Sequence, residues 1–107
     1  VRLSRGLGDV YKRQREIILT KVPDIEENLG DQIARVVRTV RQLELKKAPS
    51  VSETLDWART LIHLGVEHID AQTATDTVNI LLKYRSDIDK AIKEFSSDED
   101  LNSAVSN

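Results

Sequence analysis

Aliphatic residues that recur at three- and four-residue steps, cut by two prolines and a glycine, constrain this chain more than any other feature. Leu29, Ile33, Val36, Val37, Val40 and Leu43 follow that step, and Val51, Leu55, Ala58 and Ile62 repeat it after Pro49. A period near 3.6 is that of a helix with one buried stripe, whereas a half-buried strand alternates every second residue. Aromatic residues make up only 4% of the 107 positions, so aliphatic stripes must build the core. The expectation is an all-α protein, a small orthogonal bundle of about five helices.

Punctuation divides the pattern. A short helix is predicted over 15–21, ending before Val22-Pro23 because a residue preceding proline is pushed out of the α region. Asp24 and Glu27 then have the spacing of a capping box, opening the longest amphipathic helix. Its opposite face carries Arg35, Arg38 and Arg41, a ladder that reads as a phosphate-contacting stripe or, with Glu26, Glu27, Asp31 and Glu44 close by, as a solvated face. The solvated face is the favoured reading.

Lys46-Lys47-Ala48-Pro49 breaks the pattern, and Ser50 with Glu53 forms a second capping box. Trp57, Leu61 and Leu64 widen the stripe of the helix that follows, and Gly65 stops it. That breadth predicts a buried Trp57. A fourth helix is expected from Asp70 or Ala71 to Tyr84, with Ala74, Val78, Leu81 and Leu82 inward. Its three threonines lower its intrinsic propensity, so packing must support it. The fifth is expected to start near Ser86, carrying Ile88, Ala91, Ile92 and Phe95 on one face, before residues 96–107 lose all periodicity and read as an acidic, disordered tail.

The first fourteen residues, VRLSRGLGDVYKRQ, show no amphipathic period. Their ending, GLGDVYKRQ, resembles a translated sequencing-adapter remnant, so residues 1–14 are expected to be non-native and irregular. The competing reading is a basic arm for nucleic acid or acidic lipid. Without the segment, 12 Lys+Arg face 17 Asp+Glu, a balance of about −5 against −2 for the whole chain. Such a domain is a poor generic binder of polyanions.

Local chemistry excludes several classes. There is no cysteine, which removes disulfides, Cys-type zinc sites and thiol catalysis. No apolar run approaches the roughly 18 residues that cross a bilayer, and the expected compartment is the cytoplasm. Neither GxxxxGK[ST] nor GxGxxG occurs, so the chain lacks both common nucleotide-binding loops. His63 and His68 are separated by five positions with Gly65 between them, which is not the i, i+4 pair of a zinc protease. Ser50 or Ser52 with His63 has the residue types of a hydrolase, but both serines sit where a helix cap belongs.

A helix-turn-helix reader of DNA, or a free-standing helical adaptor, is the alternative of a different class. Residues 51–64, the Gly65 turn and residues 71–84 supply the helix pair. The second helix, however, begins AQTATDTVN, which offers Gln72 and Asn79 beside Asp76 but no early cation for a phosphate.

Residues 15–94 resemble the C-terminal lid of MoxR-type AAA+ ATPases, especially the CoxD-like branch. The central signature is KAPSVSETLDWARTLIHLG, flanked upstream by REIILTKVPDIEENLGDQIARVVRTVRQLEL and downstream by TVNILLKYRSDI. The resemblance implies a parent ATPase whose core subdomain, with its ATP and Mg²⁺ machinery, precedes Arg15. It also implies a homo-oligomeric ring, a hexamer, chaperone-like remodelling, and in some cases a partner with a von Willebrand factor A domain. In such lids the start of the central helix faces the nucleotide, which here implies Ser50, Val51 and Ser52. Many members carry a sensor arginine two residues after the cap. Ser52 stands there in this chain, leaving Arg59, two turns later, as the remaining arginine on a similar face.

Overall fold

The computed structural model describes the backbone of residues 2–97 and the side chains of residues 11–97. Five helices follow in chain order: α1 (Arg2–Lys21), α2 (Glu27–Arg41), α3 (Val51–His63), α4 (Ala71–Leu81) and α5 (Arg85–Ser97). No strand occurs among the described residues, and the protein is a small helical bundle. No described helix is long and apolar enough to cross a membrane.

The stripes predicted from the sequence converge on one core, except that Val51 and Leu64, at the two ends of α3, are 41% and 60% exposed. Ile18 of α1, Ile33 and Val37 of α2, Trp57 and Leu61 of α3, Leu81 of α4 and Phe95 of α5 are all at most 1% exposed. α1 lies along α2, α3 against α4, and α4 against α5, with α1 and α2 also touching α3. Gly30, in the middle of a buried face, has a packing reason. A Cβ there would lie 2.9 Å from Leu19 Cδ2, so the Leu19 side chain of α1 would have to shift to admit one.

Several boundaries differ from the sequence reading, each for a visible reason. Helix α1 begins at Arg2 rather than Arg15, and residues 2–14 are therefore helical, not irregular. Gln14 is buried, and Tyr11 packs against the core with Arg35 and Arg38 of α2 over its ring. Once a helix is nucleated, each further residue adds a backbone hydrogen bond without a new nucleation cost.

The capping box expected from Asp24 and Glu27 does not form. Glu26 occupies the cap position without a side-chain cap bond, and the Glu27 carboxylate instead accepts a 2.6 Å bond from Arg15 of α1. A charge pair between helices has displaced a local cap. Helix α2 ends at Arg41, so Leu43 packs from a turn, its N–H reaching the Val40 carbonyl at 3.1 Å.

Helix α4 stops three residues short of Tyr84, with Leu82 extended yet 1% exposed. Helix α5 opens at Arg85, placing Ser86 inside the first turn and Asp87 at its buried face. Of the expected tail, Ser96 and Ser97 complete α5; residues 98–107 lie outside the described residues.

Candidate functional site

The start of α3 carries the residues implicated by the sequence. Pro49 is buried and bends the chain into an extended Ser50, whose φ and ψ of −81° and 170° suit an N-cap. The predicted capping box is complete: Ser50 N–H donates to Glu53 Oε1 at 2.9 Å, and Glu53 N–H donates to Ser50 Oγ at 3.2 Å. Thr54 adds its N–H and its hydroxyl, both 3.0 Å from the Ser50 carbonyl.

Glu53 is buried, and burial alone would raise its carboxyl pKa. Hydrogen bonds from Ser50, with the positive charges of Lys47 and Lys83, outweigh that and hold it below its ordinary 4.5. Lys83 Nζ lies 3.5 Å from Glu53 Oε2, tying the α4–α5 link to the start of α3.

A second carboxylate, which the sequence reading missed, supports the same corner. Asp87 of α5 is fully buried and accepts the N–H groups of Lys46 at 2.9 Å and Lys47 at 3.1 Å. It closes the chain segment that delivers Pro49 and Ser50. Nearby, Lys46 Nζ stands 5.8 Å over the ring of Tyr84, which is 48% exposed. The only sequence signal for Asp87 was an acidic residue in the first turn of a helix, a common feature of helix starts.

Ser50, Val51 and Ser52 are exposed at this corner. The N–H groups of Val51 and Ser52 have no acceptor among the described residues, while that of Glu53 is satisfied by the cap. Two free donors at a helix start, with Lys47 and Lys83 close enough to act on Glu53, can receive an anion. Glu53 partly offsets that field. Arg59 does not join the group. It is exposed and lies 3.7 Å from Asp56 on its own helix, about 10 Å along the axis from Ser52.

The hydrolase arrangement is excluded by length. His63 ends α3, so a serine at its start lies about 15–20 Å away, far beyond proton transfer. His68 pairs elsewhere: Gln32 Nε2 donates to its Nδ1 at 3.1 Å, while Gln32 Oε1 accepts the Ile69 N–H at 2.7 Å.

The arginine ladder is also dispersed. Arg35 pairs with Asp31 at 3.0 Å, Arg35 and Arg38 both stand 5.8 Å from the Tyr11 ring centroid, and Arg41 donates to the Pro49 carbonyl at 2.8 Å. It is a set of packing contacts more than a phosphate stripe. At the start of α4, Gln72 donates to Asp76 at 2.8 Å, which occupies the group a DNA-reading helix would present.

No protein-family model, curated protein or solved structure matches this chain.

Proposed function

We propose that residues 15–94 are the C-terminal lid subdomain of a MoxR-like AAA+ ATPase, contributing to nucleotide-dependent ring movement and chaperone-like remodelling. The observation that carries this reading is one of order. The three resembling segments fall in sequence on the end of α1 with α2, on α3, and on the end of α4 with the start of α5, so they touch all five helices instead of one.

The start of α3 adds chemical support. Val51 and Ser52 offer two unpaired N–H groups on the same helix start as Glu53, whose carboxylate Lys47 and Lys83 act on, a setting that favours phosphate oxygens. Among the described residues no group of three or more His, Asp or Glu side chains could hold a metal ion. ATP and Mg²⁺ would be held chiefly by the core subdomain of the parent, and Ser50 would act by fixing the helix start. Arg59, paired with Asp56 and set back along α3, is a poor substitute for a sensor arginine.

The test is recovery of the coding sequence upstream of Arg15. An open frame carrying GxxxxGK[ST] within one domain length, roughly 250 residues, is expected. A frame of that length without the motif sinks the proposal. The isolated chain is expected to hydrolyse no ATP; turnover that survives purification and substitution of Ser52 and Arg59 counts against it.

A further inference from the structure

The far end of α3 holds a hollow that the nucleotide reading leaves unused. Leu29 of α2, Ile62 of α3 and Val66 form its apolar floor, and Asp24, Glu26 and Glu67 stand around it. Its volume of about 190 Å³ suits one long side chain and falls below the roughly 300–1,000 Å³ of a small-molecule pocket. The three carboxylates are exposed and enter no ion pair among the described residues, and no basic residue lines the hollow. Gly65, also on the lining, has open space where a Cβ would stand, and its chain neighbour Leu64 is 60% exposed.

An apolar floor ringed by unpaired negative charge is complementary to a side chain with a hydrocarbon stem and a cationic head. Arginine fits better than lysine, because its planar guanidinium can donate to two carboxylates at once and is more weakly hydrated. The stem would cover Leu29, Ile62 and Val66 while the head meets Glu26 and Glu67. We infer that this hollow is a socket for an arginine carried on an exposed segment of a protein partner, next to an apolar residue that covers Leu64. It lies about 20 Å along α3 from Ser50, so it is a separate site from the helix start.

The experiment is a titration of the full ¹⁵N-labelled chain with acetyl-Gly-Arg-Leu-Gly-amide, followed by NMR. A matched peptide with citrulline for arginine keeps the shape and removes the charge. Saturable shifts at Leu29, Ile62, Gly65 and Val66 are expected with the arginine peptide, weakening as salt is raised. The double variant Glu26→Gln, Glu67→Gln should weaken binding about tenfold or more, the loss expected for charge-assisted hydrogen bonds. Both positions are exposed, so the variant is expected to fold, and an unchanged circular dichroism melt verifies it. Equal binding of the citrulline peptide overturns the proposal. So does unchanged affinity of the folded double variant, or no saturable shift with either peptide. None of these outcomes depends on an ATPase core upstream.

Discussion

The two ends of α3 are built on opposite principles. At its start, Ser50 and Glu53 close a hydrogen-bonded loop within four residues, and Asp87 and Lys83 arrive from α5 and the α4–α5 link to brace it. At its other end the cap bonds are backbone ones, from Leu64, and no side chain among the described residues caps the helix. Gly65 turns the chain at a φ of +75°, and the surface is completed by Asp24, Glu26 and Leu29 from a distant stretch. A short-range cap can be recognised from residue types, whereas a surface assembled from remote segments exists only after folding. The braced end is held by α5 and the α4–α5 link, whereas the open end leaves Leu64 and Gly65 exposed.

Trp57 sits between these ends, and its removal is the strongest way to break the comparison. It is fully buried and donates from Nε1 to Thr77 Oγ1 at 2.7 Å, which ties α3 to α4. Trp57→Ala should cost about 3–5 kcal/mol in denaturant melts. A loss below about 1 kcal/mol would show that neither end depends on this packing.

Next in size is Asp87→Ala, which leaves the Lys46 and Lys47 N–H groups without their acceptor. About 2–3 kcal/mol is expected, with amide exchange rising at Lys46, Lys47 and Ser50 and little changed near Gly65. Equal acceleration at both ends would erase the distinction between a braced and an open terminus.

Single changes at the two termini sharpen it further. Ser50→Ala removes a cap worth about 1 kcal/mol, and Gly65→Ala forces a Cβ into the left-handed region at roughly 1–2 kcal/mol. The costs are similar, but only Ser50→Ala should disturb the amides of Val51 and Ser52.

The smallest effect is in the acid limb of stability. Glu53 and Asp70 both have folded pKa values below their ordinary 4.5 and 3.8, and for Asp70 the Thr73 N–H and hydroxyl cause the depression against its burial. Carboxyls lowered by folding add stability that is fully present above those ordinary values. It is lost as pH falls through about 4.5 and then 3.8 and on through the folded values. Glu53→Gln should flatten the upper part of that limb while leaving the Asp70 part intact, as measured by denaturant melts across pH.

Much of the bundle was legible from residue order. Pro23, Pro49 and Gly65 marked breaks between helices, and the aliphatic steps named Ile33, Val37, Ala58 and Phe95 as core. Ser50–Glu53 was legible as a cap because both partners lie within one turn. Glu27 was misread as one because Arg15, twelve positions away, competes for its carboxylate and wins. Asp87 and the helix through residues 2–14 were missed for a related reason. Asp87 acts on the α2–α3 connection, and Tyr11 lies under Arg35 and Arg38 of α2, contacts that carry no periodic signature.

By itself, then, the order of residues determined that this chain forms helices, where most of them break, and how α3 starts, because hydrogen bonding and hydrophobic period act within a few positions. Tertiary structure alone decided that Asp87 braces Lys46 and Lys47, that Arg35 and Arg38 meet the Tyr11 ring, and that three acids meet around Leu29, Ile62 and Val66. Those outcomes depend on burial and charge pairing between segments far apart in the chain, which become neighbours only when the helices pack.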